Sequence, residues 1–304
     1  MTQRRTLSLI GLARTGKSTY LGALWMIIQD DRATYIRELE TKGDRSYLTK
    51  LGDQVALLRE MARTDVDSEE GLQLIVELGD LGEVDLRIPD LSGETLRLLV
   101  EHRTWHELLR DAITGSDALL LFVHPDRVWE PTRTNFTADL LSKLMTTAAD
   151  QSETGGTATA PTEEAGIESD PDPPTFTPKL AATAAKLIDA VENILNTNAR
   201  QTLKIGVVIS AWDLAEKAWP ADEGMATPRR WLEHRLPAVW QVLRSNPDRL
   251  NIAVYGVSAV GGRLPEDREE LEGKGSVLDR AYVLDGEGNP VRFTAPLEWA
   301  LTWP

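Results

Sequence analysis

The chain of 304 residues contains no cysteine. That absence excludes disulfides, thiolate metal sites and thiol nucleophiles. Nor is there a run of about 18 consecutive apolar residues, so nothing in the sequence reads as a membrane span. Basic residues are outnumbered: 33 Lys plus Arg against 48 Asp plus Glu give a formal net charge of −15. A surface of that sign repels phosphate backbones and anionic lipid, so nucleic acid is not expected as a main partner. Solubility alone accounts for the charge. The segment Met1-Thr2-Gln3-Arg4-Arg5 is too short before the first predicted strand to read as a secretory signal, and the expected compartment is the cytoplasm. Against these absences stands a hydrophobic fraction of 41%, enough for one large domain or two small ones.

One stretch organises the rest. Gly11-Leu12-Ala13-Arg14-Thr15-Gly16-Lys17-Ser18 satisfies the pattern G-x-x-x-x-G-K-[ST] at every constrained position. It follows an apolar strand-like run, Thr6–Ile10, and precedes a helix-like run, Thr19–Ile28. A strand that turns tightly into a helix gathers backbone N–H groups and the positive end of the helix dipole at one spot, where a polyphosphate fits. Gly11, Ala13, Arg14, Thr15, Gly16, Lys17, Ser18 and Thr19 are therefore candidate nucleotide contacts, with the Lys17 amine on the β- and γ-phosphates and the Ser18 hydroxyl on Mg2+.

Downstream, apolar residues at Leu48, Leu51, Val55, Leu58 and Met61 predict an amphipathic helix within Arg45–Arg63. Two alternating runs, Leu72–Leu78 and Glu83–Ile88, flank a Gly-bearing link and predict an antiparallel hairpin. Thr95–Thr114 reads as a helix, on which His102 and His106 are better explained as exposed side chains than as a metal site. Ala118–Val123 is wholly apolar, as a strand buried on both faces is. Residues from Ser152 to Pro178 are rich in Thr, Ala, Gly and Pro, with several acids and no Lys or Arg. Such a segment buries too little apolar surface to order itself and reads as an acidic insertion at about residues 150–178. Lys179–Asn198 predicts a helix, Leu203–Ile209 a strand, Pro228–Arg244 a helix and Leu250–Val257 a strand. The runs 281–284 and 291–293 predict a second hairpin, and Ala295–Trp303 a closing helix, whose Trp299 and Trp303 read as core or docking residues.

Strands alternating with helices predict an α/β fold with a mostly parallel, doubly wound sheet, and ligand contacts at the C-terminal strand ends. The remaining candidate residues fall at such ends. Asp90 closes the second strand of the early hairpin and can hold the Mg2+ shell; Gly93 lets the backbone approach the γ-phosphate. Asp213, in Ser210-Ala211-Trp212-Asp213, can accept two hydrogen bonds from guanine, and Ser258-Ala259 can donate a backbone N–H to the guanine oxygen.

The phosphate loop, Asp90-Leu91-Ser92-Gly93, Ser210-Ala211-Trp212-Asp213 and Ser258-Ala259 follow the order of the G motifs of TRAFAC-class, Ras-like GTPases. The chain resembles in particular the bacterial double-GTPase group. The resemblance implies a P-loop NTPase fold over residues 1–304: one Ras-like G domain with an antiparallel edge hairpin, the insertion and a C-terminal helical extension. It implies a Mg2+-dependent GTP/GDP switch that hydrolyses GTP and signals to a protein effector or activator. Lys17 and Ser18 carry over as phosphate and Mg2+ ligands, Asp90 as the metal-shell acid and Asp213 as the guanine reader. A switch threonine that completes the metal shell is expected before the hairpin, at Thr64, with Thr34 and Thr41 as competitors. The chain departs from the family pattern in two places. Ser210 and Ala211 stand where Asn-Lys is usual, so Trp212 is a substitute candidate for stacking on the base. Glu94 stands where a water-orienting glutamine is usual, which leaves slow hydrolysis or binding without turnover as alternatives, while the altered Asn-Lys positions leave an ATPase or P-loop kinase as another. Arg14 is a candidate charge-stabilising arginine, acting in cis or across a homodimer.

Overall fold

The computed structural model describes residues 4–59, 72–89, 96, 98, 99, 102, 104–125, 183–218 and 227–302. They build a nine-stranded sheet. Its strands are β1 (Arg5–Gly11), β2 (Arg37–Lys42), β3 (Leu72–Glu77), β4 (Glu83–Ile88), β5 (Ala118–Val123), β6 (Leu203–Ser210), β7 (Leu250–Ser258), β8 (Tyr282–Leu284) and β9 (Pro290–Val291). In space they run β2-β3-β4-β1-β5-β6-β7-β8-β9. The five central strands β4-β1-β5-β6-β7 are mutually parallel. Both flanks are antiparallel, β2-β3-β4 on one side and β7-β8-β9 on the other. The expected early hairpin is β3-β4, but it is not the edge. The charged strand β2 (RELETK) covers it, and its mixed burial carries no apolar alternation that a sequence reading would catch.

Helices cover both faces. On one lie α1 (Lys17–Ile28) and α2 (Arg45–Ala56); on the other α3 (Glu107–Gly115) and α4 (Thr183–Thr197). Strand β5 explains why it is apolar throughout. Ala118, Leu120 and Phe122 join the core under α1 and α2, whereas Leu119, Leu121 and Val123 join the core under α3 and α4. All six residues are buried, as a strand covered on both faces demands.

Three sequence expectations change. The helix predicted over Pro228–Arg244 is two, α6 (Pro228–Arg235) and α7 (Pro237–Arg244), with α5 (Trp212–Ala218) preceding them. Leu236 between them leaves the helical region (φ −135°, ψ 55°), as a residue before proline tends to, and Pro237 has no N–H to continue the ladder. The helix predicted over Thr95–Thr114 is interrupted at residues 104–106, and His106 is the extended N-cap of α3. His102 and His106 therefore do not share one continuous helix face. Two short helices, α8 (Arg268–Gly273) and α9 (Val277–Arg280), follow β7 where the sequence offers no periodicity long enough to register.

The C-terminal helix α10 (Ala295–Leu301) lies on the α1 side of the sheet, not outside it. Lys204 on β6 fastens it, its amine donating to the Trp299 carbonyl at 2.9 Å. Among the described residues no helix is long and apolar enough to cross a membrane.

Candidate functional site

The site forms at the C-terminal ends of β1, β6 and β7. β1 runs parallel to β4 and β5 and hands the chain at Gly11 to a tight turn. Arg14 (φ 61°) and Gly16 (φ 84°) both adopt the left-handed conformation, which curls the loop and turns its N–H groups inward. Gly16 is the N-cap of α1; no side chain caps the helix there, and its first turn holds no acid. The first N–H groups of α1 are thus left for an anion. The space is confined: a Cβ at Gly16 would stand 2.7 Å from the Cβ of Ser210. Thr15 Oγ1 donates to the Leu12 carbonyl at 2.8 Å, and Lys17 Nζ donates to the carbonyls of Gly11 at 2.7 Å and Leu12 at 3.0 Å. The lysine stem is buried at 3% exposure, so its amine is held within the loop's own ring. Arg14 is exposed, with no side-chain partner among the described residues.

The second half of the site is assembled by side chains. β6 ends at Ser210, whose hydroxyl donates to the Val123 carbonyl at the end of β5. Ala211 takes a positive φ of 46°, unusual for a residue with a Cβ. That turn sends two neighbours opposite ways. Trp212 goes down: it is 0% exposed, in the core with α4 and α6, and Gly256 on β7 leaves room for its ring. Trp212 therefore cannot stack on a base, and that expectation is corrected: an indole at this turn is worth more buried in the core than exposed in a cleft. Asp213 goes up and lines the cleft. Ser258 Oγ donates to its Oδ1 at 2.5 Å, and the Gly261 N–H donates to Ser258 Oγ at 3.1 Å. The other carboxylate oxygen of Asp213 has no hydrogen bond among the described residues. The Ser258 side chain, not a backbone group of Ser258-Ala259 alone, is thus what orients the acid.

Between the two halves lies a cleft of about 560 Å3, lined by Gly16, Thr19, Tyr20, Asp213, Ala259 and the loop 260–264, among others. Its outer wall is pinned. Lys217 on α5 pairs with Asp267 at 2.7 Å, and Asp267 also accepts from the Arg263 N–H at 2.9 Å. The lysine holds the Asp267 carboxyl below its usual range, and the carboxylate raises the lysine. Burial pushes the Tyr20 hydroxyl far above the usual phenol range. Sequence reasoning missed several cleft residues, among them Arg59, His124 and Arg263. His124 was findable, since it directly follows β5 at a C-terminal strand end. Arg59 and Arg263 sit on no motif.

The structure brings Gly16, Thr19, Asp213 and Ala259 around one cleft, with Lys17 and Ser18 in the adjoining first turn of α1. Asp90, Gly93, Glu94 and Thr64 lie outside the described residues, as does the expected insertion at about 150–178. Of the competing threonines, Thr34 is exposed, and Thr41 lies on edge strand β2 with its hydroxyl on Glu38. Neither lines the cleft. Ser18, half-buried in the first turn of α1 beside the N–H cradle, suits a Mg2+ ion carried by phosphates, which needs one or two protein oxygens and keeps several waters. Among the described residues no group of three His, Asp or Glu could hold a metal.

A family model described as Double-GTPase 1 matches residues 8–300. Among curated proteins, no sequence matches the chain. Solved structures similar to it include the G domain of the T. maritima FeoB iron transporter, at 12% identity and TM-score 0.32, covering 88% of this chain and 96% of that one. An Aquifex aeolicus Era variant bound to GDP·AlF4− is 12% identical at TM-score 0.32, with coverages of 89% and 55%. The SRb-GTP/SRX complex of the signal recognition particle receptor from Chaetomium thermophilum is 16% identical at TM-score 0.35, with coverages of 89% and 97%. The family match, which spans nearly the whole chain, carries the assignment; the structures at these scores carry none of it.

Proposed function

The chain belongs to the Double-GTPase 1 family, and from that premise we propose that it binds GTP with Mg2+, hydrolyses it to GDP and phosphate, and alternates between two surfaces read by a protein partner. The observation that carries the proposal is the meeting, in one cleft, of an uncapped helix start with a buried carboxylate. Gly16 and the first turn of α1 suit the polyphosphate, and Asp213 suits the two N–H donors on the guanine edge.

In this reading the residues divide the work by position. The N–H groups of residues 13–18 hold the phosphates, and Lys17 releases the Gly11 and Leu12 carbonyls to reach them. The Ser18 hydroxyl holds the metal, which when bound neutralises charge on the β- and γ-phosphates. Asp213, oriented by Ser258, accepts from guanine; adenine presents no matching pair of donors there. Arg14, exposed at the lip of the loop, is available to phosphate charge in cis or from a second copy. Asp90 and Thr64 complete the metal shell, and Gly93 and Glu94 sense the γ-phosphate and position water. Such catalysis is positional and electrostatic, with no covalent step by the protein, and is slow without a partner.

Titration calorimetry with GTP, GDP and ATP, with Mg2+ present, tests the binding, and phosphate release tests the turnover. GTP and GDP bind, ATP binds at least about a hundredfold more weakly, and Lys17→Ala removes both guanine nucleotides. Equal affinity for ATP sinks the base assignment, and unchanged affinity in Lys17→Ala sinks the phosphate assignment. Binding without phosphate release above background leaves a nucleotide-holding module in place of an enzyme.

A further inference from the structure

The end of α2 is built at a cost that the helix itself does not explain. The helix stops with the Leu58 N–H on the Val55 carbonyl at 3.1 Å and the Arg59 N–H on the Gln54 carbonyl at 2.9 Å. In this two-bond stop the residue at Leu58 takes the left-handed conformation, here φ 52°, and glycine is usual. A leucine stands there instead, buried at 2% exposure, so the strain is retained rather than relieved. Two arginines from the far end of the chain fix the same turn. Arg280 donates to the carbonyls of Val55 and Ala56, and Arg268 donates to the carbonyl of Leu58 at 2.6 Å. Arg268 also lies 3.9 Å from the Glu272 carboxylate.

The residue this turn presents is Arg59. It is exposed and lines the cleft with Asp213, and its guanidinium has no partner among the described residues. The other cleft arginine, Arg263, is paired with Glu266. Among the described residues the positions next to Asp213 offer no ring-covering group: Ala211 has no stem, and Trp212 is in the core. The nearby cleft walls are apolar, at Leu214, Val260 and Leu264. A planar, weakly hydrated cation beside an apolar slot is suited to lie on the face of an aromatic ring.

We infer that Arg59, fixed by the Leu58 turn and the Arg268 and Arg280 clamps, stacks its guanidinium on the purine ring of the bound nucleotide. The inference rests on the reading of this cleft as a guanine-nucleotide site. Arg59 takes the place left open by Ala211, and it reaches the ring from α2 rather than from the strand that carries Asp213. Stacking distinguishes a purine nucleotide from a bare phosphorylated sugar, so Arg59 adds affinity for the base and not for the phosphates.

The test uses the full chain and two ligands, GDP and ribose 5′-diphosphate, each displacing a fluorescent guanine nucleotide. Arg59→Ala weakens GDP about tenfold and leaves ribose 5′-diphosphate within about twofold. Arg59→Lys, which keeps a charge but loses the plane, falls between. Thermal midpoints of both variants match the parent, since the side chain is exposed. Equal losses for the two ligands assign Arg59 to the phosphates and overturn the inference; so does no loss for either. If the unaltered chain binds no GDP, it is the nucleotide reading itself that fails, which is a separate result.

Discussion

The two ends of the cleft are made of different material. The end proposed for the phosphates is backbone: a turn of two left-handed residues, an N-cap with no side chain, and N–H groups left over from the first turn of α1. The purine end is side chain upon side chain: Gly261 N–H to Ser258, Ser258 to Asp213, Lys217 to Asp267, and three clamped carbonyls behind Arg59. The contrast bears on tolerance. A backbone cradle depends on the shape of the chain, so, the Lys17 amine apart, its fragile points are positions where a Cβ does not fit. A side-chain socket depends on each partner in turn, so its losses are smaller and spread over more residues.

Gly16→Ala attacks the cradle at its tightest point. The new methyl meets Ser210 at 2.7 Å, and φ of 84° is strained for any residue with a Cβ. Because the neighbour is a strand end, the loop must open. GTP and GDP affinity falls about a thousandfold, or about 4 kcal/mol, by calorimetry. An alanine variant within tenfold of the parent breaks the contrast, because the cradle would then not depend on backbone shape.

Asp213→Asn attacks the socket with almost no change of volume. The amide has one acceptor oxygen, and while that oxygen keeps the Ser258 donor it turns an NH2 donor, not a carboxylate oxygen, toward the guanine donors. GDP affinity falls about a hundredfold, about 2.7 kcal/mol. Preference for GDP over inosine diphosphate, which lacks the exocyclic amine, disappears with it. If the preference persists while affinity drops, Asp213 supports the loop 258–261 instead of reading the base.

The same contrast decides what the sequence could disclose. Backbone geometry is written in glycine spacing, so the turn of Gly11 to Ser18 was legible, together with β1 before it and α1 after it. Strands buried on both faces, such as β5, announce themselves by unbroken apolar runs. Asp213 was legible because it follows a buried strand at a fixed offset. Ser258 was found for its backbone, whereas its hydroxyl does the orienting. Trp212 was misread because an aromatic beside a binding residue looks like a ligand contact, and only the positive φ at Ala211 reveals that it turns inward. Arg59 was invisible for a different reason. Its place is set by contacts from residues 268 and 280, more than two hundred positions away, and no local pattern encodes that. Strand β2 escaped because an edge strand need not alternate; charged side chains there guard an open edge.

Those distant contacts supply the smallest of the effects. Arg280 is 5% exposed, and burial alone holds its pKa below the usual arginine range. Its guanidinium serves the carbonyls of Val55, Ala56 and Gly275, while its Nε stays buried without a partner. Arg280→Met keeps most of the stem volume and removes the donors, which strands those carbonyls at the end of α2. It also abolishes the cost of a buried cation with one unsatisfied nitrogen, so the net loss is held to about 2 kcal/mol. For a chain this long that lowers the melting midpoint by about 3 °C. The Arg280 backbone, which crowds Gly261 from below, remains in place, so the loop that orients Asp213 loosens without collapsing. GDP affinity therefore drops a further few-fold, while affinity for ribose 5′-diphosphate at the cradle stays as it was. An Arg280→Met variant that melts with the parent would mean that α2 ends unaided, and the socket would then owe nothing to the clamps behind it.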